Sequence, residues 1–455
     1  MTERENSVSW EYISSIPGIA WPAIAAPGAA QLLALQFQFE RSQWLGAGQI
    51  HELQLGQLGA LARHAFQTVP YYRQRWQKLY DPGVPLTAEL LAQLPLLARR
   101  DLQDNSYSLK STAAPTEHGP AVEGRTSGST GSPVRSLKNG LTSLFWRAFA
   151  LRDHRWHGRD LGGKLAAIRQ GAPDAEAESW GQVTNGVLAT GRSSTLDIRA
   201  SIDTQLRWLA QQQPAYLLSY PSNIAGLARQ SLARGIRFPG LREVRTIGEV
   251  LTPETRALCR QAWDVPVTDA YSADEVGYIA LQCPVHEHYH VQSEGLLVEV
   301  IDEQGAACAP GAVGRVVVTA LHNFAMPLVR YAIGDYAEVG APCACGRGLP
   351  VLKRIMGRVR NMLILANGES YWPMLGTQSF PELAPILQHQ FVQKSPACLE
   401  LRLVTARTLS PREEDNLRKH IESRLPVPMQ LNFVYCGEIS RGKSGKFEDF
   451  VSEMS

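Results

Sequence analysis

RTSGSTGSP, from Arg125 to Pro133, sets seven Ser, Thr or Gly residues in a row between two structured stretches. A loop of that composition offers backbone N–H groups and hydroxyls to phosphate oxygens. Composition alone does not separate a phosphate cradle from a flexible linker, so the flanking sequence decides. From about Val122 to His322, short strand-like runs (GGKLAAIRQ, PAYLLSYP, LREVRTIG, GRVVVTALH) alternate with helical stretches. Thr252 before Pro253 gives an N-cap with proline at the first helical position and predicts a helix over ETRALCRQAW. The patterning around the loop is therefore α/β.

On the N-terminal side, the first 110 or so residues read as helices and turns. HELQLGQLGALARHAFQTV, His51 to Val69, has helical apolar periodicity and ends before Pro70. On the C-terminal side the rhythm changes at GRVRNM, Gly357 to Met362. A strand pair around NMLILANGESYW, a strand in LELRLVT, a capping box at Ser410 and Glu413, and the strand QLNFVY make a small α+β module. At 455 residues the chain exceeds the size at which single cores stop growing, about 250 to 300 residues. The expectation is a large domain over residues 1–357, helical over about 1–110, and a small domain over 358–455. No internal repeat interrupts this plan.

A net charge of +2 with no block of five or six like charges argues against nucleic-acid partners and acidic tails, and for a small-molecule substrate. The apolar stretch IPGIAWPAIAAPGAAQLLALQF is broken by Pro17, Pro22 and Pro27 and has no basic start, so it reads as neither signal peptide nor membrane span. The expected location is the cytoplasm, where the seven cysteines stay reduced and their spacing matters more than their number.

The Ser/Thr/Gly loop has companions in order along the chain: Gly248-Glu249, Tyr271 to Glu275 (YSADE), Arg330 to Asp335 (RYAIGD), Gly357-Arg358, and Lys443-Ser444-Gly445-Lys446. Together they resemble the adenylate-forming superfamily over nearly the whole chain. The spacing around Cys283, the phrase NFAMPLVRYAIGDYAEVG and the element Cys343-Ala344-Cys345-Gly346 resemble its phenylacetate-CoA ligase branch. The resemblance implies a multi-layer α/β N-terminal domain and a mobile C-terminal lid. It also implies activation of a carboxylic acid, aromatic in this branch, by ATP as acyl-AMP, then thioester formation with coenzyme A, in a homodimer.

By that resemblance Thr126, Ser127, Gly128, Ser129, Thr130 and Gly131 embrace the ATP phosphates, and Gly248 and Glu249 belong to the nucleotide site. Tyr271 lies near the adenine, Glu275 helps hold Mg²⁺, Asp335 takes the ribose hydroxyls and Arg358 is close to the nucleotide. The family places its catalytic lysine last in an SGK-like turn, which selects Lys446 over Lys443. The physical logic is independent of the name: a carboxylate attacking the α-phosphorus meets an anionic centre whose charge must be neutralised.

Gly437 to Ser444 formally matches a P-loop, but only eleven residues follow Ser444, too few for the helix and strands a P-loop needs. At the hinge, where the family is usually acidic, this chain has Arg360, which bears on the lid rotation and leaves room for a carrier protein or an amine as acceptor. A non-catalytic nucleotide- or zinc-binding module of the same fold is the alternative from another class. Glu275, Asp335 and Lys446, all present, argue against it. Cys283 and His290 around CPVHEHYH, with Cys343 and Cys345 in PCACGRG, would make a closed tetrahedral zinc site. His286 and His288 compete with His290, and the branch pattern of cysteine, six residues, histidine favours His290.

Overall fold

The computed structural model describes residues 10–125, 134–358, 361–373, 375–442 and 445–454. The N-terminal segment is helical as its periodicity predicts, with helices Pro27–Ser42, Ala47–Thr68, Pro70–Trp76, Ala88–Gln93 and Arg99–Asp104. The helix expected from His51 begins earlier, at Ala47, where Gln49 Oε1 accepts from the Gly46 N–H at 3.1 Å and satisfies the helix start. It stops at Thr68 because Pro70 opens the next helix. The buried rings of Tyr71, Tyr72 and Trp76 join one large apolar cluster with Leu296, Val316, Val318 and Tyr331 of the main sheet.

That sheet has thirteen strands among the described residues. Its order is Leu296–Ile301, Val313–Ala320, Tyr331–Val339, Val351–Arg358, Tyr289–Val291, Gly277–Gln282, Val267–Ala273, Glu243–Ile247, Tyr216–Ser219, Leu165–Arg169, Ser193–Asp197 and Ala175–Ala177. The short strand Leu97–Ala98 pairs in parallel with Tyr331–Val339 off this path. From Val267–Ala273 to Ser193–Asp197 the neighbours are parallel, joined by helices Ile202–Gln212, Pro221–Arg234 and Pro253–Trp263. The strands from Gly277 onward pair antiparallel. Thr252 caps the helix Pro253–Trp263 as expected, its hydroxyl accepting from Thr255 N–H at 3.3 Å, a contact worth about 1 kcal/mol.

At the junction of the parallel and antiparallel halves Asp269 is buried. It accepts from the Thr246 hydroxyl at 2.6 Å and the Tyr289 hydroxyl at 2.8 Å. Burial pushes its carboxyl up to about 6, with the two hydroxyl donors opposing. Because the folded chain holds this proton more tightly than the unfolded one, whose aspartates titrate near about 3.9, the group favours folding at low pH. That contribution is lost as the pH rises through about 6. Asp269→Asn should flatten the fall in melting temperature between about pH 4 and pH 6 relative to the parent chain, read by parallel thermal scans.

The C-terminal part has its own sheet, ordered Gln430–Tyr435, Cys398–Thr405, Ile386–Ser395, Phe450–Ser452, with helix Pro411–Glu422 packed on it. Leu399, Leu401, Leu403, Leu417 and Ile421 are its inner residues, all fully buried. The Ser410–Glu413 capping box forms, Ser410 N–H donating to Glu413 at 2.8 Å and Glu413 N–H to the Ser410 hydroxyl at 3.3 Å. Leu363–Ile364 and Ser370–Tyr371 pair as the expected short strands. No helix follows Gly437 among the described residues, so the P-loop match is accidental.

Candidate active site

Three of the nucleotide residues predicted from sequence meet in one cluster. The Tyr271 hydroxyl donates to Asp335 Oδ2 at 2.8 Å, and Arg358 Nε donates to Asp335 Oδ1 at 3.2 Å. Strand register sets the second contact, since Asp335 lies opposite Arg358 in the antiparallel ladder. Burial, reinforced by the Asp335 carboxylate, pushes the Tyr271 hydroxyl well above the usual phenol range, so it stays a donor.

Glu275 lies in the turn after strand Val267–Ala273 and is buried. Arg99 Nη1 donates to its Oε1 at 3.1 Å, and the Tyr331 hydroxyl donates to the same oxygen at 3.5 Å. The pairing of Leu97 with Tyr331 carries Arg99 there, at the first turn of its helix. Sequence reasoning missed Arg99 because LARRD carries no motif.

Glu275 and Lys446 line one cavity of about 780 Å³ together with Gly248. Gly248 has φ +79°, and a Cβ there would come within 3.2 Å of Lys446 Cε. Glycine is thus required both by the backbone and by the passing lysine. The neighbouring Glu249 is engaged by the C-terminal part: Phe447 N–H donates to Oε1 at 2.6 Å and Arg441 Nη1 stands 3.5 Å from the same oxygen. Ser222 N–H donates to Oε2 at 2.9 Å. Burial raises the Glu249 carboxyl and lowers the Arg441 guanidinium, so the contact is desolvated. Glu249→Ala should therefore release the Arg441–Phe447 loop. Limited proteolysis there should speed up about tenfold, the effect of about 1.5 kcal/mol of charged hydrogen bonding, with little change in global melting.

Thr126 to Gly131, which the sequence resemblance assigns to the ATP phosphates, lie outside the described residues, as do Lys443 and Arg360. The strands on either side of the phosphate loop, Val122–Arg125 and Arg135–Lys138, pair with each other.

A second constellation gathers the predicted cysteines and histidine. Cys283, His288, His290 and Cys343 each present a ligand atom within 4.8 Å of the others. The Cys283 and Cys343 sulfurs are 3.9 Å apart, and Cys345 Sγ lies 3.4 Å from His290 Nε2. His288, set aside by the sequence pattern, thus joins the group, and its Nε2 is buried without a hydrogen-bond partner. His290 Nδ1 faces the Leu349 carbonyl at 3.4 Å, leaving Nε2 toward the sulfurs. Burial holds His290 down at about 4 and pushes the Cys343 thiol up to about 12. A neutral imidazole and crowded thiols of this kind form a donor set suited to a soft divalent metal. The loop that follows rests on the N-terminal helices: Gly348 N–H donates to the Gln43 carbonyl, and Arg347 Nε and Trp156 Nε1 both donate to Gln43 Oε1 at 2.9 Å. A Cβ on Gly348 would collide with the Leu45 carbonyl.

The architecture matches that of 2-hydroxyisobutyryl-CoA ligase. Its postadenylation complex with 2-HIB-AMP aligns with a TM-score of 0.73 at 19% identity, over 91% of this chain and 92% of that one. The fold is that of the adenylate-forming CoA ligases. The thioesterification complex of the same neighbour aligns with a TM-score of 0.58 at 20% identity. In sequence the chain is 28% identical to phenylacetate-coenzyme A ligase of Thermus thermophilus over 358 residues, 74% of this chain and 77% of that protein. It is 24% identical to the enzyme of the same name from Pseudomonas putida over 422 residues, 87% and 92% of the two chains. No protein-family model matches the chain. Within this CoA-ligase fold, the contacts of Arg441 and Phe447 with Ser222 and Glu249 are what bring Lys446 to the large sheet.

Proposed function

We propose that the chain activates an aromatic carboxylic acid with MgATP as its acyl-AMP and transfers the acyl group to coenzyme A. The observation that carries this reading is the single cavity lined by Glu275 from the large sheet and Lys446 from the C-terminal part. In the first step a carboxylate oxygen bonds to the α-phosphorus and the bond to pyrophosphate breaks. Lys446 offsets the charge that gathers there. Tyr271, Asp335 and Arg358 hold the nucleoside, residues Thr126 to Gly131 hold the phosphates, and Glu249 holds the lid closed through Phe447 and Arg441. Residues 1–357 act as the ATP- and acid-binding domain and 358–455 as the lid. In the second step the thiol sulfur bonds to the acyl carbon and AMP leaves.

The buried Glu275 carboxylate at the cavity offers a hard oxygen donor, which fits Mg²⁺; when bound, that ion supplies charge neutralisation at the phosphates. The thiol and imidazole cluster fits structural Zn²⁺, held by Cys283, His290, Cys343 and Cys345 with His288 beside them. No described helix is long and apolar enough to cross a membrane; the reading places a homodimer in the cytoplasm. Pyrophosphate release from MgATP across aryl, arylacetic and aliphatic acids, with and without coenzyme A, tests it. Release that depends on one acid supports activation, and thioester accumulation with coenzyme A supports the second step. Silence across the panel would overturn both.

A further inference from the structure

The cavity that holds Glu275 and Lys446 extends along helix Gly140–Trp156, where its wall is aromatic: Phe145, Trp146, Phe149, Tyr278 and His322. Trp146 and Tyr278 lie nearly parallel, 17° apart with centroids at 6.2 Å. Phe145 and His322 stack at 4.0 Å and 29°. Gly295 lets the Phe149 ring come close to the chain, since a Cβ there would sit 2.6 Å from Phe149 Cε2. Flat faces of this kind form a slot for a planar ring.

Buried polar atoms without a partner occur on this lining at His322 and Arg147. His322 Nδ1 is buried with no hydrogen-bond partner. On the same wall Asn323 is committed to the Leu137 carbonyl at 2.8 Å and the Met326 N–H at 3.2 Å, and Thr142 to the Asn139 carbonyl at 2.9 Å. Burial lowers the His322 imidazole to about 4 against a hydrogen bond to the Gly295 backbone, so the ring is neutral near pH 7 and Nδ1 is left for a ligand group. Buried polar atoms are normally paired, and an orphan at a binding wall points to a ligand group that completes it. The same lining also carries the cations Lys138, Arg147 and Arg169. Arg147 Nη2 donates to the Asn185 carbonyl at 3.2 Å while its Nε has no partner, and Lys138 and Arg169 are exposed.

We propose that the acid bound here is an aryl acid carrying a neutral hydrogen-bonding ring substituent, a hydroxyl or an amino group, and that His322 recognises that substituent. This inference rests on the cavity being the acid site.

The test compares matched acids, hydroxyphenyl or aminophenyl against phenyl, by kcat/KM for acid-dependent pyrophosphate release. The parent protein should favour the substituted acid at one ring position by about tenfold to a hundredfold. His322→Phe should bring that ratio to about one, and His322→Asn, which keeps a hydrogen-bonding group, should retain part of it. An unchanged ratio in His322→Phe, or a parent that prefers the unsubstituted acid, overturns the proposal. If His322→Phe melts below the assay temperature, the His322→Asn ratio decides: intermediate supports, unchanged overturns. If no acid releases pyrophosphate, the activation reading has failed, and calorimetric binding of the same acid pairs to parent and variant decides the subsite alone. Equal affinities, or no binding of the substituted acid, overturn it there.

Discussion

Lys446→Ala should lower acid-dependent pyrophosphate formation by about 10²- to 10³-fold, the cost of removing one preorganised charge from a transition state, while the melting temperature stays close to that of the parent. The α-phosphorus is attacked by an anion while already carrying negative oxygens, so the loss falls on the chemical step rather than on folding. Lys446 contributes little to packing: it is only partly buried, and its stem passes over Gly248, which has no side chain to pack against. Lys446→Arg should rescue poorly, because a planar, delocalised guanidinium does not reproduce a compact ammonium point charge at the phosphorus. Unchanged pyrophosphate formation in Lys446→Ala would remove this lysine from the mechanism.

Cys343→Ser should have the opposite profile. We expect loss of bound zinc and a melting temperature lowered by about 4 °C, from about 3 to 4 kcal/mol of lost metal coordination, with a smaller change in turnover. The cluster shows why the metal would matter to folding. Without it, the Cys343 sulfur has only the Cys345 N–H at 3.3 Å and the Cys283 sulfur at 3.9 Å, and the buried His288 Nε2 has no partner. A parent protein purified free of metal, with a melting temperature unmoved by added zinc or chelator, would sink the site.

Much of this was legible before any coordinates. Strands with apolar, β-branched runs, such as Leu165–Arg169 and Val313–Ala320, announce themselves because burial on both faces demands such residues. Caps at Thr252 and Ser410 are equally plain, since their chemistry is local. What sequence did not yield depends on distant contacts. The strand Ile386–Ser395 is mostly polar; its Gln393 is buried because the amide bonds both N–H and C=O of Ile364. Arg99 and His322 gain meaning only when a strand pairing sets one on Glu275 and a cavity wall exposes the other. The motif that assigns Glu249 to the nucleotide site does not announce its contacts with Phe447, Arg441 and Ser222, which only the fold brings together.

Gln43 ends the first long helix, yet its carbonyl and side chain carry the loop that follows Cys345 and the indole of Trp156. Arg347 in that loop lies over the Trp44 and Trp156 rings at 4.8 and 4.7 Å. The N-terminal helices and the cysteine loop, some three hundred residues apart in the chain, therefore share one set of backbone and side-chain bonds. Release of the cysteine loop takes these bonds from the end of the Pro27–Ser42 helix, so amide protons of that last turn should exchange faster when the thiols are no longer held.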